Sequence, residues 1–334
     1  MVFLLNSFKS ILWINRRNEN DIVHLYNSIT PFVKLALGDA NNNMLNFGYW
    51  TQATTSPLEA QVELCRLVGD FADLKSAKRV IDVGSGFSAP AVIWKFRYKN
   101  NNLLDIICVD INLKQLSAAV EKITLPIPAT TRADLFYEMV NTNIQCKPTR
   151  VNNNSSISLV NATAMRLPFA DNCVDRIVAL ESAQHFKPLS RFLRECKRVL
   201  RPEGLLVIAV PVIGRNSSHK TLVQFAKLRI LYFTWASEHY HLENIKTVIR
   251  AEDFQIQEIL HVGHHVYEPS ADYYIHNRKL LKQRLQAKIF PYAKTLFIEC
   301  VERIIYISAL KMKDSSKKEI IDYVLIKAVA ASKR

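Results

Sequence analysis

Short apolar runs alternate with longer helix-like segments over the middle of the chain, from Ser76 to Val210. This alternation is typical of parallel strands that are joined by helical crossovers. It predicts five strands of a doubly wound α/β sheet, at Arg79–Val83, Asp105–Asp110, Ile157–Val160, Asp175–Leu180 and Leu205–Val210.

The flanking segments predict further elements. Between about residues 124 and 156 the pattern fades into Pro, Thr and Asn, which indicates an insertion or loop before the third strand, with a helix from about Arg132 to Asn143. After the fifth strand we expect a helix, a sixth strand, basic amphipathic helices and a last strand, at His219–Ile249, Phe254–Val262, Asn277–Lys311 and Tyr323–Val329. The predicted sheet has seven strands, six parallel and the last antiparallel, with helices on both faces.

The same pattern divides the chain into three parts. Residues 1–75 are predicted to form a helical cap or lid, residues 76–215 the ligand-binding core, and residues 216–334 a helical lid or substrate region that also holds the last two strands. With 334 residues, 49% of them hydrophobic, the chain can bury one large core and an appended lid.

The cysteines and the amino terminus bear on location. Six scattered cysteines without metal-like spacing favour a reduced, cytoplasmic compartment. The first seventeen residues lack a secretory cleavage site and are too short to span a bilayer. An apolar helical face there, followed by Arg16 and Arg17, allows either a packed cap helix, which we favour, or peripheral membrane contact.

Positive charge is in excess, with 44 Lys and Arg against 30 Asp and Glu and a net charge of +14. Such a surface attracts anions, including lipid head groups and phosphorylated substrates. Zinc-finger spacing and aromatic RNA-binding motifs are absent from the sequence, which argues against nucleic acid as a partner. The pattern does not indicate an oligomeric state.

The first predicted strand runs into a small-residue turn, Asp82-Val83-Gly84-Ser85-Gly86. Glycines at such a turn let the backbone approach a ligand, and the following helix offers free N–H groups. Asp110 closes the second strand, where a carboxylate can bind both ribose hydroxyls. These residues predict a nucleotide site that fits NAD or S-adenosylmethionine (SAM); Asp82, inside the strand, favours SAM because a carboxylate there can orient the loop and the cofactor's ammonium group.

Several segments resemble the class I SAM-dependent methyltransferases, especially the ubiquinone/menaquinone, tocopherol, sterol and natural-product enzymes. The resemblance extends from about Tyr26 to Val210 and is carried by Asn46–Trp50, Asp82–Ser88, Asp110, Ala162–Asp171, Glu181–Phe186 and Leu193–Gly204. It implies a Rossmann-like fold with SAM as cofactor. It also implies cofactor contacts from Gly84, Ser85, Gly86, Asp110, Ile111, Thr163, Ala164, Tyr49 and Trp50. Thr163 departs from the acidic residue common at its position, so its hydroxyl or the backbone would meet the adenine edge.

Candidate catalytic residues follow the fourth strand. Glu181 and His185 leave it at the carboxyl edge of the sheet, where ligands of such folds bind. His185 is the best candidate for a general base, and Glu181 could orient SAM or a cationic acceptor. Both could instead be structural, Glu181 as a helix cap and His185 as a satisfied buried histidine. Tyr26 could close on the ligand as a lid residue or belong to the core.

A histidine cluster, His261, His264 and His265, lies at a predicted strand end or loop without acids in a ligand pattern, so we expect no metal site there. Taken together, the features predict SAM-dependent methyl transfer to a hydrophobic or lipid-like small molecule, with carbon the favoured acceptor. O- or N-methylation of a small metabolite and a cyclopropane-synthase-like activity remain open. So do a non-catalytic SAM-binding regulator and, more distantly, a nicotinamide oxidoreductase.

Overall fold

The computed structural model describes residues 18–36, 44–101, 104–123, 157–214, 241–289 and 295–331. Several predicted features lie wholly or largely outside these residues. They are the apolar amino-terminal segment, the insertion at residues 124–156 with its helix, and most of the helix predicted at residues 219–249.

The described residues form one seven-stranded mixed sheet in the order β3-β2-β1-β4-β5-β7-β6. The strands are β1 (Arg79–Val83), β2 (Asp105–Asp110), β3 (Ile157–Asn161), β4 (Val174–Leu180), β5 (Leu200–Ile213), β6 (Phe254–His261) and β7 (Ile321–Ala330). The first five pair in parallel, whereas β7 runs antiparallel to both β5 and β6. The predicted mixed sheet, with its last strand antiparallel, is confirmed.

Helices connect and flank these strands. They are α1 (Glu19–Ala36), α2 (Pro57–Phe71), α3 (Ala89–Arg97), α4 (Leu113–Ile123), α5 (Leu189–Val199), α6 (Leu242–Ala251), α7 (Gly263–His276), α8 (Arg278–Ile289) and α9 (Thr295–Lys317). A short 3₁₀ turn covers Ala183–His185.

Buried side chains on both faces of the sheet explain why the central strands are largely apolar. On one face Leu64, Val68 and Trp94, from α2 and α3, pack in one cluster with Val80. On the other face Phe192 of α5 belongs to a second cluster, which includes Ile81. Successive residues of β1 point to opposite faces of the sheet, and helices cover both faces. Residues such as Val80 and Ile81 are therefore both buried and apolar.

The boundaries of β5 differ from the prediction. The strand begins at Leu200, which pairs with Val174, and the register shifts before Arg176 pairs with Leu205. The extra residues include Glu203, whose φ is +63°. The turn-like stretch Arg201–Gly204 therefore belongs to β5, where it forms an irregularity in the pairing with β4.

The histidine cluster also differs from the prediction of a strand end or loop. His261 ends β6, but His264 and His265 belong to the first turn of α7. The chain turns from strand into helix directly, because the Gly263 N–H donates to Asp322 Oδ1 at 3.1 Å. A Cβ at Gly263 would lie only 2.5 Å from that oxygen, so the junction requires glycine.

Within the part of the chain that the structure describes, no helix is both long enough and apolar enough to cross a bilayer.

Candidate active site

A cavity of about 690 Å³ opens at the carboxyl edge of the parallel strands. Its wall is built from residues that follow β1, β2, β3 and β4 and is completed by α1 and by residues 44–46. Ligands of doubly wound sheets bind at this edge, beside the point where the strand order reverses. Here the reversal falls between β1 and β4.

The glycine turn lies at the floor of this cavity. Gly84 and Gly86 both line it, with φ angles of +74° and +55°, a region that favours glycine. The N–H groups of Gly84 and Ser85 donate to Val109 O at 2.7 and 3.1 Å, which fixes the turn against β2. A Cβ at Gly84 would approach Ser182 Cβ to 2.3 Å. Ser85 itself is buried and lies outside the cavity lining.

Asp110 is held in place by two backbone donors. Its Oδ2 accepts a hydrogen bond from the Gly86 N–H and its Oδ1 one from the Asn112 N–H, both at 2.7 Å. Burial raises the pKa of this carboxyl group above its ordinary value. Each carboxylate oxygen has a second lone pair, so both can still accept hydrogen bonds from a ligand in the cavity.

Glu181 ends the cavity wall on the side of β4. It has a φ of +50°, and its Oε1 accepts a hydrogen bond from the Phe47 N–H at 2.9 Å. Burial raises the pKa of Glu181 to about 8, against the lowering effect of that N–H and of Tyr323. A carboxyl group in this state is largely protonated at neutral pH and would ionise next to a cation.

Asp82 lies beneath the glycine turn and not in the cavity lining. Asp82 is 1% exposed, and its Oδ2 has no hydrogen-bond partner among the residues that the structure describes. Burial, and secondarily the charge of Asp110, raises the pKa of Asp82 to about 8. The structure therefore separates Asp82 from the ligand side of the turn.

Helix α1 brings Tyr26 to the residue that the sequence singled out as a base. The Tyr26 hydroxyl lies 2.9 Å from His185 Nε2, and the two rings meet edge to face with centroids 5.5 Å apart. Both residues line the cavity. Burial raises the pKa of Tyr26 well above its ordinary value, so the hydroxyl stays protonated.

The far end of the cavity, next to β2 and β3, combines apolar and polar groups. Ile111, Ala164 and Met165 line it, and Thr163 carries its hydroxyl there. The Thr163 hydroxyl is hydrogen-bonded to the carboxylate of Glu19 in the first turn of α1. Sequence reasoning missed Glu19, since nothing in its local pattern links it to a residue 144 positions away.

Tyr49 and Trp50 lie outside the cavity lining. Their rings pack instead against α7, Tyr49 on His265 with centroids 4.9 Å apart and Trp50 on Tyr273 at 5.5 Å. The preceding residues Met44, Leu45 and Asn46 line the cavity in their place. Asn46 belongs to the motif segment that the sequence analysis quoted, but the motif did not indicate which of its residues would face the ligand.

Among the residues that the structure describes, no group of three or more His, Cys, Asp and Glu side chains could hold a metal ion. His261 Nδ1 lies 2.6 Å from Asp322 Oδ2, so this histidine has a structural partner at the start of β7.

The residues around the cavity fit SAM. The open glycine at position 86, where the nearest described atom to a Cβ would be Gln115 Oε1 at 3.5 Å, leaves room beside the Asp110 carboxylate. That carboxylate can accept from a ribose, and Glu181 provides a second carboxyl group at the opposite end for a cationic amino group. The apolar wall at Ile111 and Ala164 suits a flat base.

Comparison with known proteins gives matches over the same part of the chain. Residues 81–208 match the family described as methyltransferase domain. An erythromycin 3''-O-methyltransferase of Saccharopolyspora erythraea is 25% identical over 254 residues, which cover 73% of this chain and 72% of the relative. A 27-O-demethylrifamycin SV methyltransferase of Amycolatopsis mediterranei is 26% identical over 164 residues, 49% of this chain and half of the relative (50%).

Among solved structures, mycolic acid cyclopropane synthase CmaA1 complexed with S-adenosylhomocysteine (SAH) and CTAB has a TM-score of 0.65 at 16% identity. The alignment covers 91% of this chain and 95% of that one, which establishes the shared fold. With the family match, this resolves the choice between the two cofactors that the glycine turn left open. Residues 81–208 therefore match a methyltransferase domain, the chain has the fold of the class I SAM-dependent methyltransferases, and S-adenosylmethionine is the methyl donor.

Proposed function

We propose that this protein methylates a hydroxyl group of a largely apolar small molecule, with His185 as the general base. The observation that carries the proposal is the 2.9 Å contact between His185 Nε2 and the Tyr26 hydroxyl inside the cavity. This distance is the one at which a base accepts a proton from a hydroxyl group. A hydroxyl of the acceptor could take the position that the tyrosine hydroxyl has in this structure.

The proposed chemistry needs a proton acceptor and an enclosed site. S-adenosylmethionine, when bound, supplies a methyl group on a cationic sulfur. His185 would accept the proton that the acceptor hydroxyl loses when it is methylated. Tyr26 keeps its own proton because burial raises its pKa, so it can hold the acceptor oxygen or the imidazole without competing as a base. The remaining rate acceleration comes from holding the acceptor next to the methyl group and from excluding water.

The apolar part of the cavity wall supports an apolar acceptor. Ile22 and Val23 of α1, Met44 and Leu45, and Phe186 all line the cavity. The two curated relatives are named for O-methylation of erythromycin and rifamycin derivatives, which favours oxygen over the carbon acceptor that the sequence analysis preferred. Carbon methylation stays the second candidate.

The experiment is a product assay with a defined position for the new methyl group. Purified protein is incubated with SAM and a panel of hydroxylated macrocyclic and polycyclic compounds, S-adenosylhomocysteine (SAH) is quantified by chromatography, and the product is analysed by NMR. We expect an O-methyl resonance. A C-methyl product would replace oxygen by carbon, whereas SAM binding without SAH from any acceptor would favour the non-catalytic regulator.

A further inference from the structure

Three carboxylic side chains line the described part of the cavity wall: Glu181, Asp110 and Glu19. They come from different places, Glu181 from the end of β4, Asp110 from the end of β2 and Glu19 from the first turn of α1. The first two were expected from the sequence. The third, Glu19, comes from helix α1 and lies at the end of the cavity next to β2 and β3, and the sequence analysis did not predict it.

The order of the strands sets these carboxyl groups in a row. Along the sheet edge the strands run β4, β1, β2 and β3. Neighbouring strands are about 4.8 Å apart, so the ends of β4 and β2 are about 10 Å apart. Glu19 lies beyond Asp110 in the same direction, because it is hydrogen-bonded to Thr163, which follows β3.

The end of β3 has no acidic residue of its own at the cavity. Asn161, the last residue of the strand, donates its side-chain amide to the carbonyl oxygens of Asp110 and Ile111 at 2.9 and 3.0 Å. Thr163 Oγ1 accepts from the Met165 N–H at 3.1 Å, which directs its own hydrogen toward Glu19. The hydroxyl thereby holds the Glu19 carboxylate against the cavity wall.

This row matches the donor groups of the cofactor. SAM carries three groups that donate hydrogen bonds: an ammonium group at one end, the ribose hydroxyls in the middle and the adenine amino group at the other end. We propose that Glu19 accepts the hydrogen bond from the adenine amino group, so that the lid helix supplies the carboxylate that the strand end lacks. The inference depends on the cofactor and not on which acceptor is methylated.

Selectivity for adenine over other purines at this end of the cavity would then come from Glu19. Ile111 and Ala164 offer apolar contact that any purine satisfies. A carboxylate instead favours a base that donates over one that presents a carbonyl oxygen, because two acceptors facing each other remain unpaired. Adenine donates from its amino group, whereas hypoxanthine carries a carbonyl oxygen at the same position.

The test compares SAH with its deaminated analogue, S-inosylhomocysteine, by calorimetry on the full chain. We expect wild-type protein to bind SAH at least about tenfold more tightly, in line with a hydrogen bond to a charged group. Glu19→Ala should weaken SAH by about that factor and bring the ratio of the two dissociation constants close to one. Glu19→Gln, whose amide can donate to a carbonyl, should restore part of the affinity for the inosine analogue.

His24→Ala provides a matched control on the same helix. His24 is exposed and lies outside the cavity lining, so both dissociation constants should stay as in the wild type. Equal weakening of both ligands by Glu19→Ala would overturn the proposal, because Glu19 would then only position α1. A wild-type protein that binds the two ligands equally well would overturn it as well.

Discussion

Burial keeps the Glu181 carboxyl group protonated at neutral pH in the absence of ligand, since its pKa is raised to about 8. A cationic cofactor favours the ionised form. Between pH 6 and about 7, where the amino group of SAM stays largely charged, we therefore expect SAM affinity to rise with pH and binding to release a proton. Calorimetry in buffers of different ionisation enthalpy measures both. The SAM affinity of Glu181→Gln should not change with pH over this range. If its affinity still rises with pH, the proton released on binding comes from another group.

His185 tests the catalytic half of the site. Replacing it by Gln removes the proposed base but keeps a polar side chain of similar reach next to Tyr26. We expect kcat to fall by about 10² to 10⁴-fold, the usual contribution of a general base. The dissociation constant of SAM, measured by calorimetry, should stay within about twofold of the wild type. An unchanged kcat would make His185 a structural residue, the alternative that the sequence left open.

Residue patterns indicated those site residues that belong to strand ends, and missed those that reach the site from elsewhere. Asp110 and Glu181 could be predicted because each directly follows an apolar run. Glu19 could not, since its contact with Thr163 depends on how α1 lies over the sheet. Tyr49 and Trp50 were expected at the cofactor because the motif segment contains them, but packing against α7 turns them away.

In the turn between β1 and α3, we expect Gly84 to matter mainly for folding and Gly86 mainly for ligand binding. Gly84→Ala places a Cβ about 2.3 Å from Ser182 Cβ at a φ of +74°. Among the described residues, the Cβ of Gly86→Ala would contact the end of Gln115, at 3.5 Å, and Gly86 lines the cavity. In urea denaturation we expect Gly84→Ala to lose about 2 to 4 kcal/mol of unfolding free energy and Gly86→Ala about 1 kcal/mol.

The ligand-binding measurement completes this comparison. Gly86→Ala should weaken SAM binding although most of its stability remains, because Gly86 borders the cavity beside Asp110. A Gly86→Ala protein that binds SAM as tightly as the wild type would indicate that the cofactor does not approach this part of the turn.

At the level of elements, the pattern predicted the strands well and their junctions less well. The runs that became β1 and β2 have the predicted bounds, because strands buried on both faces leave a continuous apolar signal. The signal failed at β5 and at the start of α7. At both places one backbone irregularity, the register shift after Val174 or the close approach of Gly263 to Asp322, decides the structure.

For the whole molecule, α1 links distant parts of the described structure. It contacts His185 through Tyr26, the loop after β2 through Asn27, whose Oδ1 accepts from Asn112 Nδ2 at 3.1 Å, and the segment after β3 through Glu19. The helix thus connects the proposed acceptor and nucleotide ends of the same cavity. A cap or lid over the core was predicted from the sequence, but these connections depend on side chains that carry no recognisable motif.

The stability of the ligand-free protein should fall as the pH rises from about 5 to 8. Asp82 and Glu181 have pKa values raised to about 8 in the folded state, against 3.8 and 4.5 without the fold. Between these limits the folded state binds more protons than the unfolded state, so stability is greatest below the lower values and is lost up to the higher ones. Each pKa unit corresponds to about 1.4 kcal/mol. Urea denaturation at pH 5 and pH 8 measures the change, and Asp82→Asn, which cannot ionise, should reduce it; a stability that is level or rising over this range would contradict the burial of protonated carboxyl groups under the cofactor turn.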